Sequence, residues 1–453
     1  MKRSQCLETH AEAAQREPGA KAMRTAHHER ILSIVTSVAL LLLSHTAWSN
    51  ESQIESVFEA PTQAQLSTEV QAEKLSILDE PPNFDHLPIY KLEGQAHPLE
   101  PMLYYLEDPS AQMTLRDIRR RIADFRPLPN ESASFGFSSS AYWFAARFDL
   151  PTGSGTWVLN FPYGPLAEVS VHTNARIGAR LSGSRVEFAR RFKPYRKANF
   201  EVPASTLDRT EWLIYRVATD NYLYAGATLY REATFAQMVA DSNRSFYFAL
   251  GILLALSLIT LVGFLESQRL LSIPLLGYLG SWTLYEMTLR GSLAEHLLPN
   301  HPEIAHHSLG SFGLASLGSA LLFAFAFCRD KLKDTALLNI TSTLGYTYLC
   351  GAMVAFFIPF KLIAAPLWLG TFIVPMLCLV LGIAVWRKGT SSAIWFCAGW
   401  SATILVQILV KLAEQGVLSN EWLIGYGSQI ATASAGVFLI TAIRKLPRKS
   451  LGL

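Results

Sequence analysis

Cysteine is missing from residues 50–245 of this 453-residue chain. Of its five cysteines, Cys6 precedes that stretch, and Cys328, Cys350, Cys378 and Cys397 lie in or beside long apolar runs. The region between must therefore fold without disulfides, and no CxxC or Cys/His framework offers metal-ligand spacing. No metal and no cofactor is expected. A strong charge of either sign is also lacking: a net +3 is too near balance to argue for nucleic acid as a partner. No nucleophile, base and orienting group fall together, which makes an enzyme the poorest reading. The last apolar run has no central lysine, which argues against a retinal-bearing rhodopsin.

What the chain has instead is seven apolar runs in its second half, at 246–265, 270–289, 308–328, 336–358, 366–386, 393–410 and 423–443. The first is twenty residues without a charge, the length a helix needs to cross a hydrocarbon core. The sequence thus predicts a seven-helix transmembrane bundle. Its orientation follows from the basic residues, which are retained on the cytoplasmic side. With the first run pointing inward, Arg269, Arg329, Lys331, Lys333, Arg387, Lys388, Arg444, Lys445, Arg448 and Lys449 all fall inside. The outer turns offer Arg290, Lys361 and Lys411 beside Glu295, Glu303, Glu414 and Glu421. The amino-terminal domain is expected outside and the short basic tail, 444–453, in the cytoplasm.

Ahead of the bundle, residues 31–43 form a short apolar run after Arg30, as in a secretory leader spanning 1–49. Ala47 and Ser49 suit cleavage after Ser49; an uncleaved anchor and a start at Met23 stay open. Residues 50–87 are rich in Gln, Glu and Ser and read as a polar tether. From 88 to 236 the pattern changes to short alternating runs, TWVLNFP (156–162), EVSVHT (168–173), ANFEVP (198–203) and EWLIYRVAT (211–219), parted by Gly, Pro, Ser and Asn. That period predicts a periplasmic all-β sandwich. One helix is expected at 115–124, with Leu115, Ile118 and Ile122 on one face and Arg116, Arg119 and Arg120 on the other.

The stretches LEPMLYYLEDPSAQMTLRDIRRRIADFRPL, SFGFSSSAYWFAARFDLP and TWVLNFPYGPLAEVSVHT carry a resemblance. With landmarks Asp108, Leu115, Phe125, Phe135, Gly136, Tyr142 and Trp143, they resemble the second type of extracellular sensor domain of bacterial seven-transmembrane receptors with diverse intracellular signalling modules. The likeness continues through Tyr278, Trp282, Tyr285 and Gly291 and covers about residues 88–445. It implies a jelly-roll-like, carbohydrate-binding-like outer domain that senses a ligand. Two departures accompany it: Ala145 and Ala146 precede Arg147 where members often place a basic residue sooner, and the chain runs only about ten residues past its last apolar run, where members usually carry a histidine kinase or diguanylate cyclase. Relay to a separate histidine kinase or diguanylate cyclase is the expectation.

Four groups of residues are candidate sites. Arg190, Arg191, Lys193, Arg196 and Lys197 gather around Tyr195 and, with Arg147, could grip an anionic ligand; a solvated loop near anionic headgroups is the plainer reading. Glu286, Arg290 and Lys411 are the ionisable groups at the outer ends of runs, either a local ion pair or a coupling contact within the membrane. Arg329, Lys331, Lys333, Arg444, Lys445, Arg448 and Lys449 could dock a partner, though such residues usually anchor spans to lipid. His296, His301, His306 and His307 share one outer turn, with spacing that matches no metal framework. The aromatic set Tyr142, Trp143, Trp157, Phe161 and Trp212 reads as core rather than sugar platform. Small residues at Ser311, Ala315 and Ser319, and at Gly427, Ala431 and Ala435, permit close helix packing within the bundle or across a homodimer.

These features point to a bacterial inner-membrane receptor for a small periplasmic molecule, a carbohydrate or a carboxylate. A transporter, or an accessory subunit of an envelope complex, is the alternative; against transport, no inverted repeat or paired broken helices are visible.

Overall fold

The computed structural model describes residues 87–129, 132–150, 155–173, 176–191, 195–203, 211–267, 270–333, 335–414, 418 and 421–446. The expected leader, nearly all of the tether, and Lys193, Arg269, Arg448 and Lys449 lie outside the described residues.

The β-rich part is built of two facing sheets. One has the strand order β4 (Arg126–Pro127), β3 (Tyr104–Asp108), β6 (Ala141–Asp149), β11 (Glu211–Ala218), β8 (Glu168–Thr173), β9 (Arg176–Ser182), with β1 (Tyr90–Lys91) parallel to the end of β6. The other runs β10 (Asn199–Pro203), β7 (Thr156–Asn160), β13 (Thr228–Arg231), β2 (Ala96–Pro98). A separate two-stranded ribbon joins β5 (Ser134–Phe137) to β12 (Tyr222–Tyr224). The alternating runs of the sequence are β7, β8, β10 and β11.

Strand β6 shows why its sequence, AYWFAARFD, is apolar almost throughout. Tyr142, Phe144, Ala146 and Phe148 point between the sheets, where they meet Trp157, Leu159, Phe200 and Tyr215. Trp143 and Ala145 point the other way, under helix α1 (Leu115–Arg120), whose Leu115 and Ile118 close a second, smaller core with Ile122 and Phe125. Both faces are buried, so alternation gives way to continuous hydrophobicity. Each such large side chain contributes about 1.5–3 kcal/mol by leaving water. The helix starts at a capping box between Thr114 and Asp117 and passes at Ile122–Asp124 into a single tighter turn. Of the expected core aromatics, Tyr142, Trp143, Trp157 and Phe161 are buried and Trp212 is half-buried.

No residue separates β13 from the first long helix, α2 (Glu232–Ser267). At 36 residues it is about 54 Å long, well beyond the ~30 Å of a hydrocarbon core. Its first turns belong to the outer domain: Phe235 packs with Val158 and Tyr195, and Met238 and Val239 join them. Phe248, Leu254, Leu258 and Leu265 further along stand exposed, as lipid-facing residues do. Then follow α3 (Ser272–Leu289), a short α4 (Ser292–His296), α5 (Pro302–Cys328), α6 (Ala336–Ala355), α7 (Phe360–Arg387), α8 (Ala393–Glu414) and α9 (Glu421–Arg444).

Five of these, α2, α5, α7, α8 and α9, are long and apolar enough to cross a membrane. The two remaining long helices hold 18 residues in α3 and 20 in α6, and both are diluted with Ser, Thr, Tyr and Gly. Gly427, Ala435 and Ser319, three of the small residues singled out in the sequence, sit at helix contacts within the chain. A side chain on Gly427 would strike Val410 of α8, one on Gly399 would meet the backbone of Ala435, and Ser319 lies against Gly277 of α3.

Candidate functional site

The outer domain is seated on the outer end of the bundle, and the seam between them gathers the polar groups that the sequence leaves scattered. At its centre is His306, in the first turns of α5 and almost fully buried. Its Nε2 lies 2.6 Å from Asp220 Oδ1, and its Nδ1 lies 2.7 Å from Ser184 Oγ. A carboxylate only accepts, so the hydrogen on Nε2 points at Asp220. Arg185 completes the set: its Nη2 donates to Asp220 Oδ2 at 3.0 Å, and its Nε lies 3.3 Å from Glu303. Burial by itself would raise the Asp220 pKa, but the bond from His306 and the charge of Arg185 hold the carboxyl well below the usual range. Phe188 N–H reaches Pro299 O at 3.3 Å, a backbone bond across the same seam.

A serine, a histidine and an aspartate in line invite comparison with acyl-transfer sites, but space argues against it. The cavity beside Ser184 and His306 measures about 20 Å³, room for a single water. The geometry supports a joint rather than a reaction.

Close backbone approach continues the seam on its other side. Gly291 has φ +80°, and a Cβ there would fall 2.2 Å from Arg196 O; a Cβ on Gly164 would fall 2.6 Å from Leu289 O. Only glycine permits both the left-handed turn and the contact.

Of the candidate basic ligand residues, Arg191, Arg196 and Lys197 converge on this joint. Arg196 is buried; its Nη2 donates to Ser242 of α2 at 2.6 Å, and its guanidinium lies over the rings of Phe246 at 4.5 Å and Tyr195 at 5.8 Å. Its Nε and Nη1 make no hydrogen bond, so the ring faces supply much of its compensation. Arg191 is buried too and donates to the carbonyls of Val186 and Arg196. Burial pushes its guanidinium down to about 10, with Glu295 opposing, so it stays cationic at neutral pH. Lys197 is half-buried, and burial, with Arg196 and Arg290, lowers its ammonium to about 8. Tyr195 packs on Phe235. Arg190 alone of the described members is well exposed and pairs with Glu187 at 2.9 Å. Arg147 sits apart, opposite Trp212 on the strand pair β6–β11.

Directly beneath, Glu286 of α3 is fully buried. It pairs with Arg290 at 3.1 Å and accepts from Ser428 at 2.6 Å and Gln429 at 3.2 Å, both on α9. Arg290 also donates to Gly425 O and lies 5.2 Å from the Tyr426 ring. The local ion pair of the sequence reading is therefore present and is tied to a second helix. Lys411 borders the same cavity as Glu286. At the other end of the bundle, Lys388 Nζ donates to Lys331 O at 2.7 Å, Lys445 lies over Trp395 at 4.3 Å, and Arg329 faces Asp330 at 3.9 Å; Lys333 is exposed and Arg444 closes α9.

Of the outer-turn histidines, His296 meets Tyr247 Oη at 2.9 Å, and His307 lies 3.6 Å from Glu303. Among the described residues no group of three or more His, Cys, Asp or Glu side chains is placed to hold a metal ion. Sequence reasoning found His306 only as one member of that cluster; Ser184, Arg185 and Asp220 gave no signal, being common polar residues of turns. It also missed Trp368 of α7, whose ring meets Phe137 at 5.6 Å and Tyr222 at 6.1 Å on the β5–β12 ribbon.

A β-rich outer domain joined without a linker to a bundle with five helices long and apolar enough to span makes this a multi-pass membrane protein. The family model for the 7TM region of diverse intracellular signalling receptors matches residues 242–445, and that for their extracellular domain of type 2 matches residues 100–231. The chain belongs to this family of seven-transmembrane receptors with diverse intracellular signalling. No curated protein matches it.

Proposed function

We propose that the protein is a receptor of the bacterial inner membrane whose outer domain, a jelly-roll-like sandwich, senses a small periplasmic molecule, a carbohydrate or a carboxylate. The seven long helices all cross the membrane, with the β-rich domain in the periplasm and the carboxyl end in the cytoplasm. In this reading α3 and α6 are spans whose polar side chains are tolerated because they meet other helices rather than lipid.

The carrying observation is the joint. Strand β13 continues into α2 without a break, and the pairs His306–Asp220 and Arg185–Glu303 fasten the domain to α5. A ligand that binds one arrangement of the domain better than another then biases the helices, since differential affinity is what moves such an equilibrium. The signal leaves through the basic inner face, with Arg329, Lys331, Lys333, Arg444, Lys445, Arg448 and Lys449 docking a histidine kinase or a diguanylate cyclase.

The test is a photo-crosslinking residue in place of Lys331, in the native membrane, with capture identified by mass spectrometry. Capture of a kinase or cyclase is expected. If the sole product is the protein itself, the relay is wrong and an accessory role takes its place; solute flux in liposomes would instead favour a transporter.

A further inference from the structure

The outer half of the bundle encloses a second space, about 390 Å³ in volume, walled by α3, α5, α7, α8 and α9. That is the size of a small-molecule site. Its walls are largely aromatic: Tyr278, Trp282, Tyr285, Trp368 and Trp400 all contribute. Trp282 and Trp400 are more than nine-tenths buried, and the indole N–H of each makes no hydrogen bond. Two buried donors without acceptors are costly in an apolar wall unless something supplies the acceptors.

Most of the polar wall is already occupied with its own bonds, Gln407 Oε1 excepted. Both oxygens of Glu286 accept, from Ser428 on one side and from Arg290 and Gln429 on the other. The hydroxyls of Thr403 and Thr432 donate to carbonyls of their own helices. Glu286 and Lys411 both border the space, so its wall presents charge of both signs and no net cationic cradle for an anion. What remains to be matched is a pair of donors among flat rings, with the single acceptor Gln407 Oε1. The rim includes Trp368 and Phe372 of α7, both exposed and continuous with Leu369, Ile373 and Met376 on the lipid-facing side of that helix. Access is therefore from the bilayer.

The geometry points to a binding site for a membrane-dissolved, uncharged ring compound bearing carbonyl oxygens, a quinone-type molecule. Its ring stacks among the aromatic walls, and its carbonyls accept from Trp282 and Trp400. Because Trp368 also touches Phe137 and Tyr222, an occupant displacing that ring is felt by the β5–β12 ribbon of the outer domain. The site stands independently of what the outer domain senses and of what the inner face docks.

The experiment uses the full chain in neutral phosphatidylcholine nanodiscs, labelled with a photoactivatable azidoquinone and competed with decylubiquinone. Expected is labelling confined to α3, α7 and α8 around the cavity, removed by competition. Half-labelling should need roughly fivefold more probe in Trp282→Phe and in Trp400→Phe, each of which loses one neutral hydrogen bond. Ala320→Phe, which fills the space, should abolish labelling. Label spread over lipid-facing residues and indifferent to competition would overturn the proposal. So would equal competition by decylbenzene, which lacks the carbonyls, or stronger competition by palmitate, which would assign the cavity to a fatty acid. If Ala320→Phe does not fold, the two tryptophan variants and the decylbenzene control decide.

Discussion

Replacing Asp220 with Asn should loosen the outer domain from the bundle while leaving both parts folded. Asp220 accepts one bond from His306 at 2.6 Å and one from Arg185 at 3.0 Å. Charge-assisted bonds of this kind are worth about 1.5–3 kcal/mol each. The carboxylate is 28% exposed and Arg185 32%, so solvent screens part of that; His306 at 3% is not free to find water instead. The amide keeps one acceptor oxygen but loses the charge, and it can point an N–H at one of two donors. Arg185 and Asp220 both belong to the outer domain, so of these two bonds only that from His306 crosses the seam; its weakening is worth about 2 kcal/mol, between one and two orders of magnitude in the seam equilibrium. Hydrogen exchange of the full chain in nanodiscs reads it directly. The Phe188 amide, bonded to Pro299 O across the seam, should exchange much faster, whereas the Leu229 amide, inside the β7–β13–β2 sheet, should not change. Unaltered Phe188 protection would mean that the joint is held by α2 and the glycine contacts alone, and the argument from His306 and Asp220 would fall.

Two further outcomes follow from buried groups. His172 on β8 lies against Trp143, and burial, aided by Arg119, pushes its pKa down to about 4. Between pH 6.5 and 4 the unfolded chain binds a proton there that the folded chain refuses, so the outer domain loses stability as pH falls through that window, by up to about 3 kcal/mol. His172→Leu should flatten the acid side of its melting-temperature profile; an unchanged profile would place the acid sensitivity elsewhere. Glu286→Gln should lower the melting temperature of the bundle, since it leaves Arg290 without its counter-charge in a largely buried place, at a cost of about 3 kcal/mol. A thermal scan matching that of the unsubstituted protein would show that Ser428 and Gln429 suffice to hold α3 against α9.

The sequence reveals more of the elements than of the surfaces by which they meet. Helix lengths were legible because hydrocarbon demands uncharged runs, and the apolar run at 246–265 falls inside α2. Its outward extension to Glu232 was not, because the polar stretch ADSNRS separates the apolar face of Phe235, Met238 and Val239 from the run that begins at Phe246. Strands β7, β8, β10 and β11 announced themselves by alternation, whereas the two-residue strands β1 and β4 are too short for any period to register. The basic cluster was visible, but its surroundings were not: Arg191 and Arg196 look like surface residues until Val186 O, Ser242 and Phe246 are brought to them by the fold. His306 meets Asp220 across 86 positions, a pairing no local pattern encodes.

That difference bears on how the joint works. Buried cations at an interface are poor glue on energetic grounds, since desolvation offsets most of the attraction unless every donor is met. Here Arg196 is met partly by aromatic faces, and Lys197 is driven toward neutrality by burial, with Arg196 and Arg290 adding to it. An apolar seam of the same area would hold more tightly, but it would hold one arrangement as well as any other that buried the same surface. Directional bonds at Ser184, Asp220 and Arg196 fix one register of domain on bundle, and a shift of about an ångström breaks several of them together. A receptor needs such a contact: firm in one state, costly to deform part-way, and weak enough in total that the binding of a small molecule, worth several kcal/mol, can move it.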